Sequence, residues 1–309
     1  MIELRPEAKI VKTWEQFCNE NPPYSIALDG YVTGPTMYDD NSPKLNFNHH
    51  EGIDRIATRS VSAQAYLFIK LGLFERFREN RKEKAYLYFN DIDQDVCLAV
   101  WLMRKNEMIF APGEPNSIRE LLDIEDKLDT TAGTYPINPE SLIMKEIAWV
   151  FEPYTNVRYS GGLEKITSDK MIEVVNKVSD RIEDYYCGKA KELKPDTRYE
   201  IFHYGDTWKM IKEIGAHART KLFWDGIKAF VSFKERSDGS YNYIFGRISP
   251  LISFDNKSIY DELNKIEGIA KDDLDSYGGS DIIGSSPRKR GSKITPKEMI
   301  DIINKLLKQ

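Results

Sequence analysis

The spacing between apolar residues changes several times along the first half of the chain. A short apolar run over residues 24–30 predicts a buried strand that enters a loop, and the aromatic run over 85–89 predicts another. Apolar residues recur at helical spacing over 57–73, and an apolar helix is expected over 96–104. The charged stretch 76–84 is expected to be a solvated end or linker. Strand, acidic loop and helix alternate, which is typical of an α/β domain with a largely parallel sheet.

The second half has a different pattern. Residues 229–233 and 241–245 alternate at period two around a Ser-Asp-Gly-Ser turn, which predicts a β-hairpin. Helices are expected around 259–266 and 297–307, the second after a capping box with proline at its first position.

These elements predict an α/β protein: a mostly parallel sheet domain at the N-terminus and a second, smaller α/β domain at the C-terminus. A chain of 309 residues is long enough for two domains. We place the first domain at 1–150, a helical linker region at 151–205 and the second domain at 206–309.

Composition narrows the classes of function. The net charge of −5 argues against a protein that coats nucleic acid through bulk electrostatics, but it is compatible with a small anionic ligand or a few nucleotides. The three cysteines lie far apart, which excludes a zinc ribbon or disulfide framework. Residues 1–12 do not resemble a signal peptide, and no stretch approaches the ~20 apolar residues of a membrane span. We therefore expect a cytoplasmic protein without a membrane partner.

Three aspartates alternate directly after the predicted strand 85–89. In an extended segment Asp91, Asp93 and Asp95 would point the same way, so that their carboxylates converge. Such carboxylates repel one another unless a cation lies between them, and oxygen ligands suit Mg²⁺ or Mn²⁺. The alternative is a polar loop whose acids stabilise the N-terminus of a helix.

Two adjacent histidines add to this pattern. His49 and His50 follow a probable strand, and Asp29 follows another. Imidazole ligands shift the metal preference from Mg²⁺ towards Mn²⁺, Fe or Zn²⁺. One surface histidine and one hydrogen-bonded histidine would be the structural alternative. Together with the acidic triplet, the residues fit a two-metal phosphoesterase site, where metals activate a water molecule and neutralise phosphate oxygens.

A glycine-rich loop in the second half has the composition of a phosphate site. Gly278 and Gly279 allow a tight turn whose amides face a phosphate, and Ser280 and Arg288 supply a hydroxyl and a cation nearby. Arg247 could clamp a phosphate or pair with an aspartate. The alternative for the loop is a flexible, solvated surface.

Several of these motifs resemble the DHH phosphoesterase superfamily. Residues 91–95, followed by Leu98 and Ala99, are similar to its D-x-D-x-D loop and helix, and Asn48-His49-His50 is similar to its DHH motif. Leu28-Asp29 resembles the aspartate strand before that motif, and Asp126 and Asp129 resemble a later aspartate motif. The C-terminal hairpin and residues 278–280 resemble the DHH-associated substrate-binding domain. The resemblance spans roughly 24–135 and 225–295.

The chain departs from the family pattern at three places. The triple-aspartate loop follows the DHH-like motif instead of preceding it, so the domain would be permuted. Asn48 replaces the aspartate of the motif, which should weaken metal binding at that position. Ser280 stands where the glycine motif usually ends in histidine.

The resemblance implies a Mn²⁺- or Mg²⁺-dependent phosphoesterase that hydrolyses a nucleotide or short oligonucleotide in a cleft between two domains. The predicted metal ligands are Asp29, His49, Asp91, Asp93 and Asp95, with His50 and Asp93 as catalytic groups. The predicted substrate-binding residues are Asn48, Arg247, Gly278, Gly279, Ser280 and Arg288. A homodimer is possible. The alternatives are a non-catalytic nucleotide- or phosphate-binding regulatory protein on the same scaffold, and an unrelated α/β enzyme that resembles the family by accident.

Overall fold

The computed structural model describes residues 1–39, 41–113, 116–270, 273 and 275–308. The chain divides into two compact units. The first comprises Met1–Thr130 and Ser141–Lys194, and the second comprises Thr131–Glu140 and Pro195–Gln309. No helix in the described part of the chain is long and apolar enough to cross a membrane.

Within its described residues, the first unit is built on a five-stranded sheet. Its strands are β1 (Ile2–Pro6), β2 (Ser25–Leu28), β3 (Met37–Asp39), β4 (Lys44–Phe47) and β7 (Ala85–Phe89). They lie in the order β1-β7-β2-β4-β3. Neighbouring strands are parallel except at the edge, where β3 pairs antiparallel with β4. The prediction of a mixed α/β fold with a mostly parallel sheet is therefore confirmed for this unit.

Burial on both faces of the sheet explains why apolar and polar residues do not alternate along the central strands. All four residues of β2 and of β4 are buried, as expected for parallel strands covered on both faces. The amide of Asp29 donates to the carbonyl of Phe47 at 2.9 Å, which extends the pairing just beyond both strands. The carboxyl ends of β7, β2 and β4 therefore lie side by side, as the sequence predicted.

Helices complete the first unit. Residues 151–194, which the sequence analysis assigned to a linker region, pack within this unit, where α9 contacts α4 and β1. Its helices are α1 (Trp14–Glu20), α2 (Val61–Lys70), α3 (Leu73–Arg76), α4 (Gln94–Arg104), α5 (Asn106–Phe110), α6 (Asn116–Thr130), α7 (Leu142–Val150), α8 (Glu152–Tyr159) and α9 (Ser168–Tyr186).

The charged stretch 76–84 is more structured than its composition suggested. It forms a small antiparallel hairpin of β5 (Arg78–Glu79) and β6 (Lys82–Glu83). Most of its residues are exposed or half-exposed, as expected for a solvated stretch, and Asn80 and Arg81 both take left-handed backbone conformations, which make a tight hairpin turn.

The second unit is also α/β. Its described strands form a six-stranded sheet of order β12-β13-β11-β10-β9-β8, and the predicted hairpin is confirmed as the antiparallel pair β10 and β11. The capping box of Thr295 and Glu298 opens the last helix as predicted. The elements are β8 (Tyr199–Tyr204), β9 (Lys209–Glu213), α10 (Ala218–Trp224), β10 (Ala229–Glu235), β11 (Tyr241–Arg247), α11 (Asn256–Glu267), β12 (Gly278–Gly279), β13 (Ile283–Ser285) and α12 (Pro296–Leu306).

Candidate metal centre

The carboxyl end of β2 makes a sharp turn at Asp29. This residue has a left-handed backbone (φ 48°), a conformation that aspartate tolerates better than most residues, and Gly30 follows with φ 78°. The turn leaves the Asp29 side chain buried beside the two histidines that follow β4.

Three buried ligand atoms meet at this point. His49 Nε2 lies 2.8 Å from Asp129 Oδ2 and 3.4 Å from Asp29 Oδ1. The His49 ring is completely buried. Despite these short distances, none of the three atoms has a hydrogen-bond partner among the described residues. Buried polar atoms are normally hydrogen-bonded, so atoms that converge without such bonds are typical of an ion site.

Asp95 approaches the same histidine from α4. His49, Asp95 and Asp129 each offer a ligand atom, and these atoms lie within 4.8 Å of one another; so do those of Asp29, His49 and His50. Both oxygens of Asp95 also accept from the first turn of α2, from the amides of Val61 at 2.6 Å and Ser62 at 2.8 Å. Asp95 therefore ties α2 to α4 as well as facing the site.

The acidic triplet does not converge in the way the sequence predicted. Helix α4 begins at Gln94, so only Asp91 and Asp93 lie in extended chain. Asp93 is the N-cap of the helix and accepts from Val96 N at 2.9 Å. Asp91 is exposed, and its Oδ1 accepts from Ile92 N. Of the triplet, Asp95 alone belongs to the two candidate ligand groups among the described residues.

The charges around the site shift the ionisation of its members. Burial raises the pKa of Asp93, and the surrounding carboxylates of Asp29 and Asp129 raise it further, well above its ordinary value. Burial and the same two carboxylates raise the pKa of Asp95 to about 7. Both shifts have the same causes, burial and the crowding of carboxylates, and a bound cation would offset them.

The histidines offset part of this charge. Burial lowers the pKa of His49, but the carboxylates of Asp129 and Asp29 outweigh it and raise the pKa to about 11. Burial raises the pKa of Asp29, and the contacts with His49 and His50 reverse that effect and lower it strongly. Without a metal, an imidazolium at His49 thus supplies positive charge where a cation would otherwise lie.

Comparison with protein-family models, curated proteins and solved structures finds no match for this chain. The resemblance to the DHH superfamily therefore depends on the motifs themselves and on the positions of their residues in the structure. The buried aspartate and histidine groups have the geometry to hold a metal ion.

Asn48, a predicted substrate-binding residue, uses its side chain within the protein. Its amide group donates to the carbonyl oxygens of Val32 at 3.2 Å and Gly34 at 2.7 Å. Its Oδ1 accepts from the amides of His49 and His50. The residue is fully buried, so its amide shapes the turn that presents the histidines and has no atom left for a substrate.

Three further residues beside the site were not singled out from the sequence. Glu125 lies one turn before Asp129 on α6 and is buried, and burial together with Asp129 and Asp95 raises its pKa. Arg158 of α8 donates to Tyr154 Oη at 3.4 Å, and Tyr154 and Asp93 raise its pKa. Their sequence surroundings, an amphipathic helix and a short polar helix, carry no motif that would have marked them.

The second unit holds the other predicted substrate-binding residues. Arg247 is buried, and its Nε donates to the Asp281 carbonyl at 2.7 Å and its Nη1 to the Ile252 carbonyl at 3.1 Å, so it braces the loop. Gly278 and Gly279 form the edge strand β12, and the Ser280 hydroxyl contacts the backbone of Ile283. Arg288 is exposed.

Proposed function

We propose that the protein is a divalent-metal-dependent phosphoesterase whose metal site lies at the carboxyl ends of β2, β4 and β7. The observation that carries this proposal is the convergence of Asp29 Oδ1, His49 Nε2 and Asp129 Oδ2, all buried and without hydrogen-bond partners among the described residues. Asp95 completes a ligand set dominated by carboxylates.

This ligand set favours Mn²⁺ or Mg²⁺ as the cofactor. Carboxylate oxygens suit hard cations, and the imidazole of His49 favours Mn²⁺ over Mg²⁺. When bound, the cation would activate a water molecule and neutralise phosphate oxygens.

The protein's own groups would handle protons and position the substrate. We assign proton transfer to Asp93 and His50; burial and the neighbouring carboxylates raise the pKa of Asp93 well above its ordinary value, which favours the protonated form of this carboxyl group. We propose that Arg158, whose pKa is raised mainly by Tyr154 and in part by Asp93, faces a substrate phosphate. Gly278, Ser280 and Arg288 remain proposed phosphate contacts of the second unit. A nucleotide or short oligonucleotide suits the net charge of −5 better than long nucleic acid.

The proposal is tested by metal content and by turnover. Protein purified without chelator would be subjected to elemental analysis and assayed with a generic phosphodiester and added Mn²⁺. Asp29→Asn should lose bound metal and turnover while keeping the fold, because asparagine also tolerates the left-handed backbone at this position. Asp123→Asn is the matched control, since Asp123 is exposed on α6 and pairs with Lys127. Metal-dependent turnover that survives Asp29→Asn would contradict the site assignment.

A binding protein without catalysis is the second candidate. The observation that favours it is the neutral side chain of Asn48, which stands where the resembled family has an aspartate. All hydrogen-bonding groups of this side chain contact the backbone. Calorimetric titration with a nucleoside monophosphate separates the two: binding without turnover at saturating Mn²⁺ would favour the binding protein.

A further inference from the structure

Arg55 connects the second histidine to the metal site. Its Nη1 lies 2.9 Å from His50 Nδ1, its Nη2 donates to the Asp129 carbonyl at 2.8 Å, and its Nε donates to the Thr130 carbonyl at 3.0 Å. The two carbonyl contacts fix the guanidinium, so the approach to His50 is not that of a loose surface side chain.

The chemistry of arginine decides which nitrogen of His50 carries the proton. A guanidinium has only N–H donors and does not lose its charge in proteins. His50 Nδ1 must therefore present a lone pair to Arg55, and the proton of the neutral ring lies on Nε2. That atom is 2.7 Å from Asp29 Oδ1, a carboxylate oxygen that offers only lone pairs, although the contact does not have hydrogen-bond geometry. Both neighbours of the ring thus require the same tautomer.

We propose that Arg55 is a positioning residue that holds the neutral His50 ring with its proton on Nε2 and thereby keeps it from serving as a metal ligand. Coordination through Nε2 would move the ring proton to Nδ1, where it would face an N–H group of Arg55. The role of His50 in turnover rests on the proposed function. When the Asp29 carboxylate binds the metal ion, the Nε2–H of His50 is free to donate to a phosphoryl oxygen of the substrate. His50 is partly exposed and can make that contact, whereas His49 is buried.

The tautomer is measurable by NMR on the full chain labelled with ¹⁵N-histidine. The sequence has four histidines, and a His50→Gln spectrum identifies the signals of His50. In metal-free protein we expect the neutral His50 ring to carry its proton on Nε2 and not on Nδ1. A proton on Nδ1 in the wild-type protein would overturn the proposal, whatever the variants show.

The variants test whether Arg55 is the cause. In Arg55→Ala the tautomer with its proton on His50 Nδ1 should become populated, because no donor then faces Nδ1. Arg55→Lys should retain the wild-type pattern, since an ammonium is also a donor. Arg59→Ala is the matched control, because Arg59 is an exposed arginine in the same segment and its contact with Asp126 is long, 3.8 Å. Identical His50 signals in wild type and Arg55→Ala would refute the positioning role. If Arg55→Ala fails to fold, the wild-type and Arg55→Lys spectra still decide, because an Nδ1 proton in either contradicts the proposal.

Metal addition tests the exclusion of His50 from the ligand set. Zn²⁺ is diamagnetic and accepts imidazole ligands. On saturation with Zn²⁺, the His49 signals should shift while the Nε2–H of His50 persists, and loss of that proton would overturn the assignment. In the turnover assay Arg55→Ala should lower kcat about tenfold or more with little change in KM. Absence of turnover in the wild-type protein would reject the phosphoesterase and leave the NMR result standing.

Discussion

His49 Nε2 lies 2.8 Å from Asp129 Oδ2, although the two residues come from the end of β4 and the last turn of α6 and make no hydrogen bond through these atoms. In the metal-free protein the two atoms attract each other as an imidazolium and a carboxylate, but no hydrogen bond joins them. A cation between them would satisfy both at once, so this pair is the most direct indication of a metal site.

Asp129→Asn should therefore remove the stabilisation that a metal gives. In the wild-type protein, Mn²⁺ at 100 times its Kd should raise the free energy of unfolding by about 2.7 kcal/mol. The variant should lose most of this increment because a neutral amide oxygen is a weaker ligand than a carboxylate. Urea unfolding with Mn²⁺ and with chelator measures the difference. Asp126→Asn serves as control, since its contact with Ser60 N needs only an acceptor, which asparagine retains. An undiminished Mn²⁺ increment in Asp129→Asn would exclude this residue as a ligand.

The parts of this site that sequence predicts are those fixed by strand ends. Buried apolar runs locate β2, β4 and β7, and parallel pairing then brings Asp29 and the histidines to one edge. The family resemblance also marked Asp129. The triplet geometry was not predictable because it depends on where α4 begins. That position makes Asp93 the N-cap of the helix and leaves Asp95 as the member of the triplet in the candidate ligand groups of the described residues.

Other features depend on contacts between distant segments. The pairing of β1 with β7 joins the first residues of the chain to residues 85–89, and no local pattern indicates it. Asp95 accepts from the α2 amides across 34 residues of the chain, and Arg158, whose pKa Asp93 raises in part, belongs to a helix beyond the predicted first domain. Local periodicity carries no information on such pairings.

The pKa shifts predict an unusual pH dependence for the metal-free protein. The pKa of Asp95 is raised to about 7 and that of Asp93 is also raised, so between about pH 5 and 7 the folded state binds more protons than the unfolded state. Their contribution to stability is present below the unfolded pKa and is lost as the pH rises through the folded value. His49, raised to about 11, acts in the same direction above about pH 6.5. Each proton difference contributes about 1.4 kcal/mol per pH unit at most.

Urea unfolding between pH 5 and 7 in chelator should therefore show a falling free energy of unfolding. Mn²⁺ should reverse the trend, because the cation competes with the protons and binds more tightly as they leave. Stability that rises with pH in chelator would contradict the charge crowding at the site.

Asn48→Asp restores the residue of the resembled family and should destabilise the protein. A carboxylate cannot donate to the carbonyl oxygens of Val32 and Gly34, so two buried acceptors would lose their partner and face a negative charge. The expected cost is about 1–3 kcal/mol or more in the free energy of unfolding, measured by urea titration. Asn80→Asp is the matched control: it makes the same chemical change at an exposed hairpin turn whose left-handed backbone aspartate also adopts. A variant as stable as the control, with higher Mn²⁺ affinity, would show that Asn48 had instead replaced a metal ligand.

Substitution by alanine should destabilise the protein at one glycine of β12 and have little effect at the other. A Cβ on Gly279 would lie 2.4 Å from Gly284 Cα and 2.5 Å from the Ile283 carbonyl oxygen, and its φ of 142° is one that alanine rarely adopts. A Cβ on Gly278 would meet nothing within 4 Å. Gly279→Ala should therefore lower the free energy of unfolding by about 2 kcal/mol or more, whereas Gly278→Ala should change it by about 0.5 kcal/mol at most.

The tolerated substitution also tests the proposed phosphate contact. If the Gly278 amide approaches a phosphate, the added methyl group of Gly278→Ala should weaken nucleoside monophosphate binding without a change in stability, because space beside the glycine is what allows the approach. Calorimetric titration of the wild-type protein and of Gly278→Ala measures this. Equal affinities would remove Gly278 from the binding surface and limit the glycine pair to the structural role that Gly279 has in pairing β12 with β13.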